Sequence, residues 1–170
     1  MKNTDQTLHL IYFRVTDIWK RFCEEHTQLL DKTFEEYALL LKSDVDELES
    51  LLAEKQEIIK NISFLEHARE RCINELNEYL KQNNQKEVES VSELIEVMNF
   101  FEKQNNTQHL YRFNALLIDV IEKIQTQNKK NQVFLNKAIN SLKEIREEAL
   151  GVKNYNTYNK KGVSVRPDLG

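Results

Sequence analysis

A chain of 170 residues with three glycines and one proline has few means of reversing itself tightly, and the first of those breakers is Gly151. Sheets joined by short turns depend on such residues, whereas long helices are weakened by them. The sequence before Gly151 therefore reads as helix, interrupted where polar residues cluster. Three clusters stand out: KSDVDELES from Lys42, QNNQ from Gln82 to Gln85, and EKQNNTQ from Glu102 to Gln108. They divide the chain into predicted helices over about 6–41, 44–81, 92–103 and 107–150. The first cluster reads as a turn rather than a kink, because one rod through it would leave its apolar stripe wet.

Apolar residues recur in steps of three and four, the spacing of one helix face. In the first helix they are Leu8, Tyr12, Val15, Trp19, Phe22, His26, Leu29, Thr33, Tyr37 and Leu40, with Phe34 widening the face. In the second they are Val45, Leu48, Leu52, Lys55, Ile59, Ile62, Arg69, Ile73, Leu76 and Leu80, with Leu65 beside them. Lys55 and Arg69 lie on this seam, so their stems should pack while their heads reach carboxylates on a neighbour. Ser43 is the expected N-cap of the second helix, Ser90 or Ser92 of the short third, and Thr107 of the fourth. The short helix carries Leu94, Val97, Met98 and Phe101. Gly151 is a natural C-cap.

The long helices would each measure about 54–66 Å at 1.5 Å per residue. The fold class is therefore all-α: an elongated antiparallel bundle of three long helices with a coiled-coil-like seam, one short extra helix and a flexible C-terminal tail. Residues 1–150 form the bundle and 151–170 the tail. The last long helix begins strongly, with Leu110, Phe113, Leu117, Val120, Ile121 and Ile124, then loses its stripe over Gln125–Gln132. The stripe resumes with Phe134, Leu135, Ala138, Ile139, Leu142, Ile145 and Ala149. The polar interruption could act as a hinge. The resumed face either closes the bundle or receives another protein's helix. Left uncovered, it would also let two copies associate weakly.

Charge and composition narrow the function. The net charge of −4 does not suit a nucleic-acid binder. Residues 151–170 hold Lys153, Lys160, Lys161 and Arg166 against Asp168, a surplus of three positive charges that leaves −7 on the first 150 residues. The tail also carries Tyr155 and Tyr158 in otherwise polar sequence. The apolar patch Leu8–Phe13 is ended by Arg14 and Asp17, short for a signal core, and no stretch approaches the ~20 apolar residues of a membrane span. A cytosolic protein with reduced thiols is expected. On a hairpin folded at Lys42–Ser43, Cys23 and Cys72 are offset by ~14 Å, too far for a disulfide.

No catalytic constellation is present. The chain has no glycine-rich phosphate loop, no HExxH and no clustered cysteines. Cys23 and His26 share a helix face, but two ligands make a weak metal site, and His26 sits in the apolar stripe as a packed histidine would. Adjacent acidic pairs such as Glu24–Glu25 point about 100° apart on a helix and do not converge. Neither an enzyme nor a cofactor is indicated.

Three features together resemble a known family. LLLKSDVDELESLLAEKQEII places D-x-x-x-L-x-x-L-x-x-E-K from Asp44 to Lys55, with Arg69 further on. NKKNQVFLNKAINSLKEI opens on Asn128 and Asn131, three apart. TYNKKG sets Tyr158 before Gly162. In that order they resemble the FlgN family of flagellar export chaperones, over roughly residues 25–162. Gln132 departs from the family, which often has glycine there.

The resemblance implies a bacterial cytosolic chaperone for hook–filament junction proteins, FlgK-like and FlgL-like, which covers their terminal helices and passes them to the export gate. It implies client binding around Asn128, Asn131, Phe134, Leu135, Ala138, Ile139, Leu142, Ile145 and Ala149. It places gate docking at Tyr158, with Tyr155, Lys160, Lys161 and Gly162 beside it. The rival readings are a structural coiled-coil adaptor and a chaperone for another flagellar client.

Overall fold

A computed structural model describes residues 2–151. Four helices account for nearly all of them: α1 (Lys2–Lys42), α2 (Val45–Gln82), α3 (Val91–Gln104) and α4 (His109–Ala149). No strand occurs among the described residues. Four helices were expected, within four residues at each end. The tail residues Tyr155, Tyr158, Lys160, Lys161 and Gly162 lie outside the described residues. By packing, the chain divides into two units, residues 1–128 and 129–170, with the division falling inside α4.

In the first unit, α1 and α2 form an antiparallel hairpin. Polar pairs along its flanks fix the direction: Arg14 with Glu75, Asn61 with Glu25 at 3.4 Å, Lys32 with Glu54 at 2.8 Å, and Lys55 with Glu36 at 2.5 Å. As the residue number rises on α1 it falls on α2. The α1 stripe is covered as read, from Leu8 to Leu40. Phe34, expected to widen it, is exposed. Ile11, Ile18 and Cys23 add a second buried row, because α1 has neighbours on two sides.

The α2 seam differs from the sequence reading. Leu48, Leu51, Lys55, Ile58, Ile62, Leu65, Arg69, Cys72 and Leu76 are buried or half-buried. Their steps alternate strictly between three and four, a heptad. Val45, Leu52 and Ile59 were expected in the stripe and are exposed, while Leu51 and Ile58 are buried. Ile73 keeps a partly buried place beside Cys72. Paired apolar residues (Leu51–Leu52, Ile58–Ile59, Cys72–Ile73) let a helical repeat choose either member, and only a partner supercoiled at 3.5 residues per turn decides.

Lys55 behaves as expected, with its ammonium on Glu36 and both side chains largely covered. Arg69 does not reach a carboxylate. Its guanidinium lies 5.6 Å from the Phe22 ring centroid, a cation–π contact, and its Nε has no hydrogen-bond partner.

Each helix ends on a residue of positive φ: Ser43, Asn84, Asn106 and Gly151. At Ser43 the bonds Asp44 N–H to Leu39 carbonyl and Ser43 N–H to Leu40 carbonyl make a Schellman motif. Ser43, read as an N-cap, is therefore the residue that closes α1. The α2 N-cap is Asp44, whose carboxylate accepts from the Glu47 N–H. Ser90 caps α3, accepting from the Glu93 N–H, while Glu93 reaches back to the Glu89 N–H. Between α2 and α3 the Asn77 amide pairs with both backbone groups of Val88, at 2.7 and 2.9 Å, and Val88 is buried. That two-point clasp holds the linker.

Thr107 does not cap α4: its hydroxyl is buried and makes no hydrogen bond. The cap comes from Glu102 in the last turn of α3. Its buried carboxylate accepts from the Leu110 N–H at 2.6 Å, the Tyr111 N–H at 3.2 Å and the Tyr12 hydroxyl at 2.5 Å. Burial, and then this hydrogen bond, hold the Tyr12 phenol above its ordinary pKa, so the phenol remains a donor. Further along, Trp19 Nε1 donates to Asn114 Oδ1 and the Cys23 thiol to the Phe113 carbonyl. The first half of α4 thus runs parallel to α1 and antiparallel to α2.

Two measurements check this scheme by urea unfolding, read on Trp19, the chain's one tryptophan. Ser43→Gly removes the left-handed strain and raises stability by about 0.5–1 kcal/mol. Tyr12→Phe costs about 1.5–3 kcal/mol, the range for a hydrogen bond to a charged group. Glu102→Ala costs more than Tyr12→Phe, because three donors lose their acceptor.

Candidate functional site

The heptad of α4 shows where the helix stops being core. Take one residue in seven: Leu110, Leu117, Ile124, Asn131, Ala138, Ile145. The first four are buried, Ala138 is half-buried, and Ile145 is 61% exposed. The repeat is unbroken in sequence and in backbone, yet its burial ends. The polar stretch Gln125–Gln132 does not interrupt the helix. Gln127 and Asn131 occupy buried positions within it, so the stripe that reads as lost is continued by amides.

The second unit, considered alone, is the helix from Lys129 onward. Asn131, Phe134, Leu135, Ala138, Leu142, Ile145 and Ala149 fall within an arc of about 100° at 3.6 residues per turn. Ile139 lies at its edge. Phe134, Leu135 and Ala138 are half-buried. From Ile139 onward the face is bare, with Ile139, Leu142, Ile145, Ala149 and Leu150 all exposed. Of the two asparagines, Asn128 is exposed and Asn131 buried. The helix brings the expected client residues into one row, and it separates them into a covered beginning and an open end.

Isolated exposed leucines are ordinary on any protein surface, but a consecutive heptad row is not. Sequence reasoning missed Val133 and Leu150, both exposed. It also passed over the charges on this helix. Lys130, Lys137, Lys143 and Arg146 are exposed, and no salt bridge of the described residues involves them. The signal was legible, since no acidic residue occurs from Lys129 to Lys143.

Nothing in the first unit competes as a chemical site. His26 Nδ1 lies 2.7 Å from the Phe22 carbonyl, and the Cys23 thiol is committed to Phe113. Cys23 and Cys72 are free and buried, and burial raises both thiol pKa values, which keeps them unreactive. No group of three or more His, Cys, Asp or Glu side chains among the described residues is placed to hold a metal ion. No helix among them is long and apolar enough to cross a membrane.

A family model described as FlgN protein matches residues 12–166. The chain belongs to the FlgN family. FlgN is a family of flagellar export chaperones, so the uncovered helix face sits in a protein of a kind that binds export substrates. The match reaches further than the resemblance visible in the sequence. It takes in Tyr12 and Trp19 at one end and passes Gly162 at the other. Searches of curated proteins and of solved structures gave no match.

The two halves of the α4 ladder should respond differently to truncation. Leu117→Ala costs about 2–5 kcal/mol, as buried leucines do. Leu142→Ala changes stability by no more than about 0.5 kcal/mol, as exposed positions do. Equal losses in urea unfolding would mean that the face beyond Ile139 is covered in solution.

Proposed function

We propose that this FlgN-family chain is a cytosolic chaperone of flagellar type III export whose clients are hook–filament junction proteins, FlgK-like and FlgL-like. The observation that supports it is the bare heptad row from Ile139 to Leu150. Terminal helices of such clients are amphipathic and need a cover before assembly. Laying one along this row buries two apolar stripes at once. A buried Leu or Ile contributes about 1.5–3 kcal/mol. Several such residues offset the cost of association, which is at least about 4 kcal/mol. Asn128, exposed at the edge of the row, supplies a polar anchor there. Asn131 would meet a client only where the row around it opens.

The tail has a second role in this reading. Tyr158, with Tyr155, Lys160, Lys161 and Gly162, docks on the export gate. Tyrosine offers large apolar area with a polar tip, and neighbouring lysines speed encounter with an acidic surface. Binding the client and docking on the gate are then separate tasks on adjoining segments.

Titration calorimetry against purified junction proteins, each with and without its C-terminal helix, tests the first task. Binding should vanish with that helix, and Ile145→Asp should weaken it at least about tenfold without loss of fold. Tyr158→Ala should leave client affinity unchanged and impair export in cells. Loss of client affinity in Tyr158→Ala would assign the tail to the client site instead.

A further inference from the structure

The apolar row accounts for affinity toward an amphipathic helix but not for which helix. The charges beside it supply a preference. On the wheel, Lys130 and Lys137 flank the row on one side, Lys143 and Arg146 on the other. All four are exposed. Carboxylates return only at Glu144, Glu147 and Glu148. The hairpin is different: there Arg14, Lys32 and Lys55 each meet a carboxylate across the helix pair. The cations of the second unit are laid out as flanks of a seam whose other strand is missing.

Resting on the reading of this face as a client site, we infer that its occupant is an acidic amphipathic helix, with Asp or Glu on both edges of its apolar stripe where it lies over Lys130–Lys143. Charges at these flanking positions set partner choice in paired helices. An acidic helix places its carboxylates against cations that have no other partner. A basic one meets like charge along both edges. The same α4 segment of a second copy brings Lys130, Lys137 and Lys143 against themselves and is disfavoured. An anionic membrane would accept the lysines, but Glu144, Glu147 and Glu148 close the helix with negative charge, and the apolar arc is narrow for an interfacial helix.

The test uses the full chain and two designed helical peptides with the same Leu/Ile heptad seam, one with Glu and one with Lys at the flanking positions. Fluorescence anisotropy at about 50 mM salt should show the acidic peptide binding at least about tenfold more tightly, with the gap shrinking at high salt. Combined Lys130→Glu, Lys137→Glu and Lys143→Glu should reverse the order, with an unchanged circular dichroism spectrum.

Equal binding of both peptides, lost in Ile145→Asp, would leave the client face standing and overturn the charge preference. Binding of neither peptide would overturn both. Co-sedimentation with anionic phosphatidylserine vesicles in place of peptide binding would identify a membrane surface instead. A concentration-dependent dimer abolished by Ile145→Asp, with neither peptide displacing it, would identify a second copy.

Discussion

The placement of the functional helix begins with one buried carboxylate. Glu102 leaves α3 and answers three donors, two on the first turn of α4 and one on Tyr12 of α1. Buried charge is costly unless its oxygens are fully engaged, and here they are. The bonds also carry direction. A carboxylate at a helix N-terminus satisfies N–H groups that have no partner in the helix and faces the positive end of its dipole. With Tyr12 as the third donor, that N-terminus is tied to the point on α1 where α4 begins to run beside it. Trp19 to Asn114 and Cys23 to Phe113 then follow the same direction. α4 has no acidic residue in its own first turn, so the cap had to come from elsewhere in the chain.

Much of this fold was legible before any coordinates, because helices need little more than periodicity and an absence of breakers. The α1 stripe was read residue for residue. The Asn-Asn pairs that end α2 and α3 were visible as polar breaks, and asparagine tolerates the left-handed backbone they require. What could not be read was anything that depends on a neighbour. Leu51 and Leu52 are equally good residues for a helix face, and only the register against α1 buries the first. Ser43 followed by Asp44 offers two acceptable N-caps, and the Schellman closure of α1 uses up the serine. The cap of α4 was missed because the sequence around Thr107 contains a cap-like residue, while the group in use lies five positions earlier on another helix.

The candidate site shows the same division. Its row of residues was fully legible, since spacing along one helix needs no partner. Its exposure was not. Leu117 and Ile145 hold equivalent heptad positions and differ only in whether something covers them. The amides inside the row, Gln127 and Asn131, read as an interruption because they are polar. Their burial shows that a seam can continue through polar residues, at a cost in stability and a gain in register. That arrangement suits a helix whose two halves have different tasks, one fixed in the core and one offered to a partner.

A bare apolar row is a hazard as well as a site. Exposed on every copy, it invites the copies to pair with one another before any client arrives. Leu142 and Ile145 cannot discriminate, because the hydrophobic effect has no direction and accepts any apolar face. Discrimination has to come from groups that repel as well as attract. Lys130, Lys137 and Lys143 do both, setting like charge against like between two copies and unlike charge against an acidic helix. The repulsion acts through solvent and is screened within about 10 Å at 0.1 M salt, so it weakens pairing without forbidding it. On this argument the lysines are as much a part of the site as the leucines. Replacing them with neutral residues would leave the apolar row intact but remove the main electrostatic term separating a client from a second chaperone.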